Sequence, residues 1–166
     1  MKDPIIALAQ IRYFEKDKHN LDKIKKYIRL AKKKKADIVC FPESCIHKNE
    51  ILDFKDDLIK EIRWECAANE IYCIINDSIE IKKKKYNTAM LINRRGKIIG
   101  DYKKMHLYGD GDDMSSGKKV RIFKTDFAKI GIAVCWDLAF PEVFREIKAK
   151  GAQIVFCPSQ WKYELH

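Results

Sequence analysis

A carboxylate, an ammonium and a thiol each stand just past an apolar run in this chain. Glu43 lies in Phe41-Pro42-Glu43-Ser44, Lys104 in Tyr102-Lys103-Lys104-Met105-His106-Leu107, and Cys135 in Gly131-Ile132-Ala133-Val134-Cys135-Trp136-Asp137. A base, an oxyanion stabiliser and a nucleophile are what acyl transfer through a thioester requires. Each group alone is weak evidence. Three in succession, each at the end of a strand pattern, make a specific signal.

Cys135 follows Ile130–Val134 and precedes a helix pattern that starts near Phe140. A nucleophile at such a corner is held out into a cleft, with backbone N–H groups beside it to bind an oxyanion. The other cysteines (Cys40, Cys45, Cys66, Cys73 and Cys157) read as core residues, several of them inside apolar runs. Nearby Glu43 and Lys104 are expected to lower the Cys135 thiol pKa and make it the reactive one. Glu43 leaves a buried strand, and lost solvation suits a carboxylate to take a proton near neutral pH. Lys103 and Lys104 are adjacent, so in a strand only one of them points inward, and the residues alone do not choose. His106 reads as a satisfied core histidine.

The elements that must position these groups follow from periodicity. Apolar runs predict strands over 5–11, 36–41, 71–75, 86–92, 97–103, 120–123, 129–134 and 153–157. Leu21, Ile24, Ile28 and Ala31 mark one helix face, with Asn20 as its N-cap. Leu58, Ile59, Ile62 and Cys66 mark a second helix over 56–69. Pro141 opens a third, closed by Gly151. Asn93-Arg94-Arg95-Gly96 reads as a hairpin turn, and 108–119 as a loop. Strands alternating with helices at both ends, around a central hairpin, predict an α/β fold with a mixed sheet, as a single domain over 1–166.

Composition narrows the class. No apolar stretch is long enough for a membrane span, and the N-terminus lacks a signal-peptide pattern, so a cytoplasmic protein is expected. No Cys-x-x-Cys pair occurs and the four histidines are scattered, which argues against a structural metal. The net charge of +10 leans on two tetralysine runs, Lys32–Lys35 and Lys82–Lys85. One closes a helix, where cations suit the dipole, and the other reads as a solvated hairpin loop. Neither is interleaved with aromatics, which disfavours nucleic acid as a partner.

The three segments resemble the nitrilase superfamily of carbon–nitrogen hydrolases. Members show Phe-Pro-Glu after an early strand, then Tyr-Arg-Lys-x-His-Leu, then Gly-x-x-x-Cys-[Tyr/Trp]-Asp-x-x-Phe-Pro-Glu. Phe41–Glu43, Tyr102–Leu107 and Gly131–Glu142 match these in order. The resemblance implies an αββα sandwich and a triad of Glu43, Lys104 and Cys135, with the Trp136 backbone N–H in the oxyanion site. It implies hydrolysis of non-peptide C–N bonds with no cofactor. An amide substrate is expected first, and a nitrile or carbamoyl substrate second. It also implies a homo-oligomer.

Three departures stand out. Ala139 replaces a common Arg, which predicts that Asp137 lacks a partner. Asp110, Asp112 and Asp113 occupy the loop where members carry a second Glu, so Asp112 and Asp113 are the candidates for that support role. Members also continue beyond the position of His166, so the chain reads as the N-terminal part of such an enzyme. The alternative is a non-catalytic remnant, or a subunit that pairs with a complementing polypeptide.

Overall fold

The computed structural model describes residues 3–11, 17–47, 50–108 and 113–161. The strands are β1 (Ile6–Leu8), β2 (Ile38–Cys40), β3 (Tyr72–Ile81), β4 (Lys84–Ile92), β5 (Ile98–Lys103), β6 (Ile122–Lys124), β7 (Lys129–Ile132) and β8 (Ile154–Phe156). The α-helices are α1 (Asp17–Lys33), α2 (Asp57–Ala68) and α3 (Pro141–Ala149), and a 3₁₀ helix spans Cys135–Ala139.

Two mixed sheets form. The first has the order β1-β2-β3-β4-β5, parallel through β3 and antiparallel after it. The second has the order β6-β7-β8, with β6 antiparallel and β8 parallel to β7. Side chains alternate between the faces of a strand, so each buried strand serves two cores. Val39, Cys73, Ile75, Met90 and Ile92 meet the apolar faces of α1 and α2. Ile38, Tyr72, Ile74, Ala89, Leu91 and Tyr102 face the other way, onto Phe123, Ile130, Ile132, Val134 and Phe156 of the second sheet. The outer face of that sheet is covered by Val143 and Ile147 of α3. The layers run helices, sheet, sheet, helix, as the αββα expectation requires. Gly100 permits the close approach of the sheets, because a Cβ there would stand 2.0 Å from the Phe123 ring.

Leu21, Ile24, Ile28 and Ala31 are buried on one face of α1, as their spacing predicts. Asp56 caps α2 by accepting from the Leu58 N–H at 2.8 Å. Asn20 does not cap α1. It lies inside the helix, buried, and its amide donates to the Ile46 carbonyl at 3.2 Å. Strand β3 continues six residues past the expected Ile75, through Asn76-Asp77-Ser78. Those residues resemble a turn in sequence, but here their polar groups are bonded. Asp77 Oδ2 accepts from the backbone N–H groups of Ile46 and His47 at 2.8 and 2.9 Å. Consequently only Lys82 and Lys83 form the hairpin turn, while Lys84 and Lys85 begin β4. Several predicted strands are shorter than expected, β1 covering Ile6–Leu8 and β7 ending at Ile132. Among the described residues, no helix is long and apolar enough to cross a membrane.

Candidate active site

Each predicted group is delivered by the end of a strand. After β2, the Phe41 N–H bonds the Ile74 carbonyl and the Cys45 N–H bonds the Asn76 carbonyl, both at 2.9 Å. This pins the intervening turn beside β3 and leaves Glu43 6% exposed. Lys104 follows β5. Its N–H donates to the Asn87 carbonyl, and its carbonyl accepts from the Gly117 N–H, each at 2.8 Å. Lys104 is only 2% exposed, whereas Lys103 turns to the other side, its ammonium 4.3 Å from the centre of the Tyr86 ring. Cys135 opens the 3₁₀ helix after β7 with φ at +45°, a left-handed conformation unusual for a side chain. The Pro158 carbonyl holds its N–H at 2.9 Å.

The three groups converge. Lys104 Nζ lies 2.9 Å from Glu43 Oε1, a buried ion pair. Asn87 Nδ2 donates to the same oxygen at 2.9 Å, and the Gln160 N–H donates to Oε2 at 3.1 Å. The Cys135 thiol donates to the Gln160 carbonyl at 4.0 Å, and the Glu43 carboxylate lies near enough to act on its titration. Burial pushes the thiol up from 9.0 to about 11, and the Glu43 carboxylate adds to the rise against the opposing pull of the Gln160 backbone and Lys104. The expectation of a lowered thiol pKa is therefore corrected. Burial and an adjacent carboxylate outweigh one ammonium, so the thiol is protonated at neutral pH.

Asp137, expected to lack a partner, has several. Its Oδ2 accepts from the Tyr102 hydroxyl at 2.8 Å and the Val134 N–H at 2.9 Å. Its Oδ1 accepts from the His106 N–H at 3.0 Å and lies 2.8 Å from His106 Nδ1. Wholly buried, it ties β5, the segment after it and the turn carrying Cys135 into one unit. His106 is itself stacked on Phe140, ring centres 3.5 Å apart. Trp136 packs its ring on Tyr108 at 4.4 Å and near Trp161 at 6.0 Å, an aromatic group beside the thiol. Asp113 is placed elsewhere, in an exposed ion pair with Lys85 that holds its carboxyl below the usual range. Asp112 lies outside the described residues.

Sequence reasoning missed Asn76, Asn87 and the Gln160 backbone. Buried polar side chains inside strands were the available cue, but their partners are set by strand register. It also missed the part played by the Tyr102 hydroxyl.

Known proteins share this arrangement of elements. Residues 5–166 match the family model described as carbon–nitrogen hydrolase, and the chain belongs to that family. It is 29% identical to a deaminated glutathione amidase of Dictyostelium discoideum, over 93% of this chain and 62% of that protein. It is 30% identical to an N-carbamoylputrescine amidase of Oryza sativa, over 93% of this chain and 57% of that protein. The fold superposes on a crystal structure of an amidase from Nesterenkonia sp. with a TM-score of 0.82 at 24% identity, covering 93% of this chain and 64% of that one. The chain thus spans about three fifths of the length of the relatives it matches.

Proposed function

We propose that this chain carries the acyl-transfer centre of an amidohydrolase that cleaves a small amide through a Cys135 thioester. The observation that carries the reading is one cluster: the Lys104 ammonium and the Gln160 N–H both bonded to the buried Glu43 carboxylate, with the Cys135 thiol on the carbonyl of that same Gln160. Because the thiol is protonated at neutral pH, attack and proton removal go together. Glu43 takes the proton as Sγ bonds to the carbonyl carbon. Lys104 and the Trp136 N–H hold the oxyanion that develops. Glu43 returns the proton to the nitrogen, the C–N bond breaks and the amine leaves. Water, deprotonated by the same Glu43, then attacks the thioester carbon and frees the acid and the thiol.

The amidase names of the relatives support this class of substrate. So does a solved mutant of the Nesterenkonia amidase with the acetamide moiety of fluoroacetamide covalently added at its active-site cysteine. In this reading residues 1–166 belong to one hydrolase domain, and the six free thiols suit a reducing cytoplasm. The test is release of ammonia or amine from butyramide, deaminated glutathione and N-carbamoylputrescine, with acylation of the chain followed by intact mass. Turnover and a Cys135 acyl adduct are expected, both lost in Cys135→Ala. Turnover that survives Cys135→Ala would sink the proposal.

A further inference from the structure

Asn76 on β3 and Asn87 on β4 are buried, 0% and 3% exposed, one strand apart and beside the proposed base. A chain of hydrogen bonds joins them to it. The Ser44 N–H donates to Asn76 Oδ1 at 2.8 Å, Asn76 Nδ2 donates to Asn87 Oδ1 at 2.8 Å, and Asn87 Nδ2 donates to Glu43 Oε1 at 2.9 Å. Ser44 follows Glu43 in the chain, so the circuit begins and ends on one turn. A backbone N–H can only donate. Asn76 must therefore show its oxygen to Ser44 and its NH₂ to Asn87, and Asn87 must in turn show its NH₂ to Glu43. One donor fixes both amides.

The consequence falls on the two carboxylate oxygens. The terminal torsion of a Glu side chain is broad and roughly two-fold, so it needs outside anchors to hold one orientation. Oε1 takes both Lys104 and Asn87, each at 2.9 Å. Oε2 takes the N–H of Gln160, the residue whose carbonyl stands 4.0 Å from the thiol. Oε1 is thus fastened to the strand layer, and Oε2 to Gln160, the residue whose carbonyl the thiol meets.

We propose that Asn76 and Asn87 are positioning residues, an amide relay that locks Glu43 so that Oε2 is the oxygen that exchanges the proton with Cys135. This rests on the reading of Glu43 as the base. The titratable groups facing Glu43 are Lys104 after β5 and the thiols of Cys135 and Cys157, and all three are left in place by the variants below.

The experiment is the pH dependence of iodoacetamide alkylation at Cys135, followed by peptide mapping of the full chain, with thermal unfolding recorded for each variant. Asn87→Leu keeps the size of the side chain and adds no charge, but offers Glu43 no donor. It is expected to slow Cys135 alkylation at neutral pH roughly ten- to hundredfold, the scale of a lost hydrogen bond to a charged group, and to move the acid limb to higher pH. Asn76→Ser leaves both donors to Glu43 Oε1 in place while freeing Asn87 to turn over. It should move the same limb the same way by less, and it decides the matter if Asn87→Leu does not fold. Glu43→Gln should abolish the limb. If the limb vanishes in Glu43→Gln but stays at its wild-type position in the asparagine variants, the relay is overturned and the base stands, whatever their melting temperatures. If the limb survives Glu43→Gln, the base itself is wrong and the relay falls with it.

Discussion

Cys135 and Cys157 make an instructive pair of thiols. Cys157 is the more exposed, whereas Cys135 is 8% exposed with its thiol raised to about 11. Cys40 is pushed up to about 12 by burial, and burial raises Cys45 and Cys73 as well. Exposure alone would therefore put Cys157 ahead, although burial raises its thiol too. The proposed base on Cys135 would invert that order, because the proton would leave during attack rather than before it. Limiting iodoacetamide at pH 7 should label Cys135 first, and Glu43→Gln should hand the lead to Cys157. Cys157 leading in the wild type would remove the case for an activated Cys135. As the pH rises toward about 11, free thiolate takes over and the advantage conferred by Glu43 should shrink. At this scale the sequence was readable for the groups that end strands, since their chemistry is written in residue type and context. The amides, and the many partners of Asp137, were hidden because each needs a residue from another strand or loop, brought there only by register.

Among the elements, the helices were the most legible: α1 and α2 bury the residues their 3.6-residue period selects. The β3–β4 hairpin was read too short, because Asn76, Asp77 and Ser78 look like turn residues until their partners are known. The real turn is Lys82-Lys83, with φ at +53° and +63°. Positive φ at both central residues is the requirement of a type I′ turn, whose twist suits a hairpin and which favours Asn-Gly. Lysine at both sites is held there by the long ladder on either side, at a cost of about 1–2 kcal/mol per residue for the left-handed conformation. Glycine removes that strain but gives back some of the gain through its larger unfolded-state entropy. Lys83→Gly should therefore stabilise the chain by roughly 0.5–1 kcal/mol in urea unfolding, with the slope unchanged. Unchanged or lower stability would show that the turn carries no such strain.

For the molecule as a whole, the two sheets end differently from their centres. β1 is the outer strand of the first sheet, with Leu8 77% and Ile6 39% exposed. β8 is an outer strand of the second, with Val155 41% exposed and Trp161 beyond it 59% exposed. An edge strand offers unpaired N–H and C=O groups to another chain, and these edges carry apolar side chains where charge would discourage pairing. Burying one such Leu or Val contributes about 1.5–3 kcal/mol, so both edges favour association against the rigid-body entropy it costs. Opposing it is the net charge of +10, which repels a second copy. That repulsion reaches about 10 Å at 0.1 M salt and only about 3 Å at 1 M, while apolar burial is not weakened by salt. The balance should shift with ionic strength. Light scattering after gel filtration should show the chain growing in mass as salt is raised from 0.05 to about 1 M, the range over which screening becomes short. Leu8→Lys with Val155→Lys should keep it monomeric throughout. If the wild-type chain stays monomeric at every salt and at high concentration, or the double variant associates equally well, these edges are not the contact surface.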